Sequence, residues 1–219
     1  MNRSAEGLFV SFEGIEGSGK STQAALAARW LEECGRRVVP VREPGGTPFG
    51  ERMRELLLRK GEPIAPWAEL CAYMAARAQL VHDVIAPALA SGAVVIADRF
   101  GEASVAYQGG GRELGAERVA QLYRWVTGGL APDRVYLLDL SPEAGLARAA
   151  ARGQGKLDRL ESEPLPFHER VRASYLRQAE EEPGRFRRLD ATAGVTELHA
   201  AIRADLAGLL DLSGASGRS

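Results

Sequence analysis

Eight residues constrain this chain more than any others: Gly14-Ile15-Glu16-Gly17-Ser18-Gly19-Lys20-Ser21, followed by Thr22. They fit the pattern G-x-x-x-x-G-K-[ST]. Before them, Leu8-Phe9-Val10-Ser11-Phe12 is an apolar, β-rich run. After them, Ala24, Ala27, Ala28 and Leu31 recur at helical spacing. A loop between a strand and a helix N-terminus is where a phosphate chain is held. The glycines let backbone N–H groups turn inward, and the helix start adds unpaired donors and partial positive charge. Lys20 reaches the β- and γ-phosphates, and the Ser21 hydroxyl ligates Mg²⁺. Residues Gly14 to Thr22 are therefore expected to bind ATP. A dinucleotide fingerprint is not met, because Thr22 stands where a third glycine is needed after Gly17. The motif specifies a nucleoside triphosphate and leaves its fate open.

Further along, strand-like and helical stretches alternate. Short strands are expected at 37–41, 93–97, 134–140 and 185–190, with a long helix from Trp67 to Leu89 and shorter ones between. That alternation implies an α/β fold: a five-stranded parallel sheet flanked by helices on both faces. No repeat or linker divides the chain, so 1–219 reads as one domain, with a polar start at 1–6 and a frayed tail at 212–219. Gly109-Gly110-Gly111 is not expected to hold regular structure alone. Cys34 and Cys71 lack metal-ligand spacing and read as buried free thiols. A net charge of −1 without a basic stripe disfavours non-specific nucleic-acid binding. No signal peptide and no apolar run approaching 18 residues is present, which predicts a cytoplasmic protein without a membrane partner.

Charged residues gather where strands end. Asp98-Arg99 follows the apolar run 93–97, offering a carboxylate for Mg²⁺ and a guanidinium for a phosphate, or a plain salt-bridged strand end. Asp139 also ends a strand, but Ser141-Pro142 starts a capped helix at once, so packing or capping competes with metal binding. Residues 148–164 hold Arg148, Arg152, Lys156 and Arg159 around Gly153 and Gly155, which reads as a basic lid or as a solvated helix end. Tyr73 and Arg77 are i, i+4 neighbours, able to meet as a surface cation–π pair. His82, His168 and His199 have no catalytic neighbour in sequence and read as structural.

Several stretches together resemble bacterial thymidylate kinases: residues 12–22, Arg42-Glu43-Pro44-Gly45-Gly46-Thr47, Ala75-Ala76-Arg77, Asp98-Arg99, Ala106-Tyr107-Gln108-Gly109-Gly110-Gly111 and Leu157-Asp158-Arg159. They stand in family order from about residue 8 to 180. The resemblance implies a P-loop kinase fold with a mobile lid, and ATP-dependent phosphorylation of dTMP to dTDP with Mg²⁺. It implies that Glu16 contacts the acceptor sugar and that Tyr73 and Arg77 hold the base, the family usually having Phe where Tyr73 stands. It implies that Arg99 binds the acceptor phosphate, that Ser104, Tyr107 and Gln108 read base and sugar, and that Pro44 is a cis-proline beside them. The loop itself contains no arginine, so the chain resembles the subclass whose catalytic cation comes from the lid. Arg152 and Arg159 are the candidates there, beside Lys20, Arg99 and Glu16 in catalysis and Ser21 and Asp98 at the metal. Family members are usually homodimers. Three rivals remain at the level of sequence: a kinase for another nucleoside monophosphate, a P-loop ATPase or switch without a small acceptor, and a non-catalytic interaction protein with a relic loop, against which intact Lys20 and Ser21 argue.

Overall fold

A computed structural model of the chain describes residues 7–61, 63–152 and 157–210. The polar start, the tail 212–219, and Gly153, Gly155 and Lys156 of the expected lid lie outside the described residues. The strands are β1 (Leu8–Glu13), β2 (Val38–Arg42), β3 (Val94–Asp98), β4 (Arg134–Asp139) and β5 (Phe186–Asp190). They form one parallel sheet in the order β2-β3-β1-β4-β5. The continuous apolar runs β1, β3 and β4 occupy its interior, as strands covered on both faces require. β2 lies at an edge, where exposed Pro40 costs no ladder hydrogen bond.

Alternate strand residues face opposite helical layers. Phe9, Val95 and Ala97 pack with Leu70, Met74, Val119 and Tyr123. Val10, Phe12, Val94 and Ile96 belong to the cluster that includes Leu31, Ile202 and Leu206. The helices are α1 (Lys20–Glu33), α2 (Pro48–Leu58), α3 (Pro66–Leu80), α4 (Ala86–Ala90), α5 (Gly101–Ser104), α6 (Ala116–Val126), α7 (Pro142–Arg152), α8 (Leu165–Glu181) and α9 (Val195–Leu209). Thr47 caps α2, its hydroxyl accepting from the Gly50 N–H at 2.9 Å. The long helix expected at 67–89 is α3 and α4 joined by a π-turn, Val81–Ile85. The turn widens the helix just ahead of Pro87, which cannot donate to the ladder.

One expectation is refined and one is corrected. The triple glycine closes a π-helical segment, Val105–Gly111. It is held by tertiary contact: a Cβ at Gly110 would lie 2.7 Å from Ser174 Cβ, and one at Gly111 2.6 Å from Phe167 Cε2, so only glycines let this segment meet α8. Cys71 is exposed and Cys34 half-buried. The buried stripe of α3 runs through Leu70, Tyr73, Met74 and Arg77, and Cys71 lies off it.

Because the sheet is parallel, Glu13, Asp98 and Asp139 all end at one edge, with Phe12 opposite both Asp98 and Tyr136. Open α/β sheets bind ligands at that edge.

Candidate active site

The loop 14–19 leaves β1 and enters α1 with Gly14 at φ 134° and Gly17 at φ 68°. Both need glycine for space as well as for angle. A Cβ would lie 2.4 Å from Leu138 O at Gly14 and 2.3 Å from Gly145 O at Gly17. Lys20 folds back over the loop, Nζ donating to Ile15 O at 2.6 Å. Burial, aided by the Arg99 charge, lowers Lys20 to about 7 against the pull of Glu16, Asp98 and Glu13. The Ser21 hydroxyl donates to Asp98 Oδ2 at 2.5 Å. Among the described residues no three His, Cys, Asp or Glu side chains gather to hold a metal. Ser21 and Asp98 are two adjacent hard oxygen donors, and that fits Mg²⁺, which keeps several waters and shares phosphate oxygens.

Arg99 follows β3 with φ 74°, a left-handed backbone uncommon for a side-chain-bearing residue. The turn aims its guanidinium across the loop. Nη1 donates to Gly14 O (3.0 Å) and the Tyr175 hydroxyl (3.2 Å), and Nη2 to the Tyr107 hydroxyl (3.0 Å) and Glu16 Oε1 (3.3 Å). It also lies over the Tyr107 ring, 4.8 Å from the centroid. The Tyr107 hydroxyl donates to Glu16 Oε1 at 2.5 Å. Burial alone raises Glu16, but the His168 contact, the charges of Arg99 and Lys20, and Tyr107 together bring it down to about 2. Beneath them, buried Glu13 accepts from the Phe100 N–H (2.7 Å) and the Tyr175 hydroxyl (2.8 Å). Burial and neighbouring Glu102 push Glu13 up to about 8, against Arg99 and the two hydrogen bonds.

Tyr73 and Arg77 do not form the surface pair that their spacing allows. Arg77 is fully buried and lies over Phe100 and Tyr123. Its Nη2 binds Glu43 (2.6 Å), Phe100 O and Ser104 Oγ, while Nη1 meets only Met74 Sδ among the described residues and keeps a hydrogen to donate. Tyr73 lines the same cavity, and its hydroxyl has no hydrogen-bond partner among the described residues. Pro44 follows a cis peptide bond from Glu43. Gln108 Nε2 is held by Glu69 Oε1 at 2.8 Å.

Of the basic residues at 148–164, Arg152 lines the cavity and pairs with Glu161 at 3.0 Å. Arg148 donates to Ala191 O. Arg159 is turned to Glu69 and Leu57 O, and it does not line the cavity. Asp139 is claimed by Arg172 (2.7 Å) and Arg188 (2.7 Å), which settles it as a paired strand end. One cavity of about 420 Å³ thus joins Lys20, Ser21 and Asp98 to Arg99, Arg77 and Tyr73. That size suits a small ligand.

The thymidylate kinase family profile matches residues 12–202. The chain belongs to the thymidylate kinase family. It is 52% identical over 206 residues to a thymidylate kinase of Ectopseudomonas mendocina (strain ymp), covering 94% of this chain and 97% of that protein. It is 49% identical over 198 residues to one of Deinococcus radiodurans, covering 90% and 95%. A crystal structure of thymidylate kinase from Ehrlichia chaffeensis superposes with a TM-score of 0.75 at 30% identity, over 92% of this chain and 99% of that one. This membership fits the loop and cavity described above. Arg54, Glu69, Tyr175 and His168 are polar residues in or beside the site that carry no family motif in the sequence reading. Arg54 Nη1 donates to Pro44 O at 3.0 Å and so ties α2 to the loop that carries the cis peptide bond. The signal for Glu69, Tyr175 and His168 is spatial, since each comes from a helix remote in sequence from the residues it meets.

Proposed function

We propose that this protein transfers the γ-phosphoryl group of ATP to dTMP, giving dTDP and ADP on the route to dTTP. The observation that carries this reading is the shared cavity, in which the triphosphate loop opens directly onto Arg99, Arg77 and Tyr73. A dTMP phosphate oxygen attacks Pγ in line, and the Pγ–O bond to ADP breaks. That oxygen is already an anion, so no strong general base is needed. The work is alignment and charge neutralisation.

Lys20 and the α1 N-terminus take the donor phosphates. Arg99 takes the acceptor phosphate from its place beside Gly14. Glu16 meets the sugar, with Tyr107 and Gln108 beside it, and Pro44 closes the acceptor side. Tyr73 offers a ring face to the base, and the unspent Nη1 donor of Arg77, steadied by Ser104, meets a ring oxygen. Mg²⁺ bound with ATP supplies further neutralisation, and Ser21 and Asp98 are the residues that would hold it. Residues 148–164 serve as a lid on a single kinase domain spanning 1–219, with Arg152 or Arg159 as its catalytic cation. The reading places the protein in the cytoplasm, where both nucleotides occur.

Turnover with ATP across dTMP, dUMP, dCMP, dGMP and AMP tests the assignment. A clear preference for dTMP is expected, and a preference for a purine or ATP turnover independent of any monophosphate overturns it. A homodimer is part of the same proposal, supported by the exposed rings of Trp67 and Trp125. Light scattering checks it, and a monomer refutes it.

A further inference from the structure

His168 sits in the first turn of α8, its side chain 1% exposed. Neither ring nitrogen has a well-aligned hydrogen bond among the described residues. Its Nδ1 stands 3.3 Å from Glu16 Oε2. That oxygen is a second orphan. Glu16 Oε1 receives Tyr107 and Arg99, whereas Oε2 is buried without a hydrogen bond. Buried polar groups are nearly always satisfied. Here the two unsatisfied atoms stand 3.3 Å apart, close to hydrogen-bond distance. The ring is held edge-on to Phe167, with centroids 5.3 Å apart and planes at 90°.

We propose that His168 is a positioning residue for the acceptor: its Nδ1–H donates to Glu16 Oε2 and fixes the carboxylate against the sugar of the nucleoside monophosphate. This rests on the reading that Glu16 meets that sugar. The groups facing Glu16 come from four elements: Arg99 after β3, Lys20 on α1, Tyr107 in the π-segment and His168 on α8. Arg99, a fixed cation, already offsets the carboxylate's charge, with Lys20 beside it. A second ring proton would sit on Nε2, which is buried with no acceptor among the described residues. The tautomer with its proton on Nδ1 is the one that can donate to Glu16 Oε2. Of the influences that lower Glu16 against its burial, the His168 contact is the largest.

The test compares His168→Phe, which keeps a ring without a donor, with His168→Asn, whose Nδ2 replaces Nδ1. In H168F the KM for dTMP is expected to rise on the order of 10-fold, the worth of one hydrogen bond to a charged group. The KM for ATP stays near its original value, and H168N recovers most of the loss. The acid limb of kcat/KM for dTMP moves to higher pH in H168F and returns in H168N, because Glu16 without its donor protonates more easily. A merely structural role moves neither limb nor KM selectively. Carbon-13 NMR titration of the Glu16 carboxyl follows the same contact without turnover. H168F with unchanged dTMP KM and unchanged Glu16 titration overturns the proposal, as does H168N no better than H168F. If Glu16→Gln leaves the dTMP KM untouched, the sugar reading fails, and the titration then still decides the His168–Glu16 bond.

Discussion

Arg159 Nη1 donates to Glu69 Oε2 at 2.7 Å, and Arg159 Nε donates to Leu57 O at 2.7 Å. This guanidinium is thereby tied to α2 and α3. Glu69 is fully buried and also receives Arg112 and Gln108, so it is a structural hub under the π-helical segment Val105–Gly111. Arg152 is the contrast: it lines the cavity, and its side chain is 66% exposed beside Glu161. Such a pair contributes little to stability and releases easily. Arg152→Ala is expected to lower kcat on the order of 10³-fold with Tm unmoved. Arg159→Ala is expected to lower stability by roughly 2–3 kcal/mol, through the burdened Glu69, with a smaller effect on kcat. Side-by-side kcat and denaturant unfolding decide it. The reverse pattern means that Arg159 leaves Glu69 during turnover and supplies the lid cation.

Arg99 reaches Gly14 O, Glu16, Tyr107 and Tyr175 from a left-handed backbone. A lysine has one nitrogen and no fork, so it cannot span these partners and a phosphate together. Arg99→Lys is expected to keep the fold and lose 10²-fold or more in kcat, on the scale of arginine-finger losses, while Arg99→Ala loses more. Steady-state kinetics with ATP and dTMP measure this. A lysine variant within a few-fold of the original would mean that charge alone suffices and the fork is irrelevant.

Much of this was legible in the sequence because the information is local. The phosphate loop is contiguous, and the strand periods of 8–13, 94–98 and 134–139 are strong enough to give the parallel sheet. Asp98-Arg99 at a strand end had to reach the same edge as Gly14. What stayed hidden depends on contacts between distant segments. Gly109-Gly110-Gly111 looks like a breaker until Ser174 and Phe167 are set against it. Arg77 looks like a surface partner for Tyr73 until Glu43, remote in sequence, buries with it. His168 carries no local mark at all, and only the packing of α8 on the π-segment brings it to Glu16. Arg152 and Arg159 read alike as lid cations, and Glu69 on α3 separates them.

Lys20 at about 7 in the nucleotide-free protein has a consequence for binding. Above that pH the amine is mostly neutral, because burial and Arg99 disfavour its charge. A triphosphate beside it favours the charge and raises the pKa, so binding must take up a proton. Uptake is expected to approach one proton at pH 8 and to vanish near pH 6, and ATP affinity falls as pH rises through this window. Calorimetry of Mg-ATP binding in buffers of different ionisation enthalpy gives the proton count. Lys20→Met should abolish the pH-dependent part. Equal uptake in that variant would assign the proton to another group.

Glu13 presents the opposite linkage. Its carboxyl titrates near 8 in the folded protein and at an ordinary 4.5 when exposed. Between those values the folded state holds a proton that the unfolded chain has lost, so this group's contribution to stability is full below pH 4.5 and declines as pH rises to 8. The slope is at most ~1.4 kcal/mol per pH unit for one proton. Glu16, lowered to about 2, acts in a separate window: its contribution is present above 4.5 and is lost as pH falls toward 2. Glu13→Gln stays neutral throughout. Its Oε1 still accepts from the Phe100 N–H, and the Tyr175 hydroxyl can turn to accept from the new amide. The variant is expected to match or trail the original protein at pH 5 and to surpass it at pH 8. Urea unfolding at pH 5, 6.5 and 8 measures the difference between the two. A difference that stays constant across the three pH values would show that Glu13 is ionised under the loop, with Arg99 outweighing its burial.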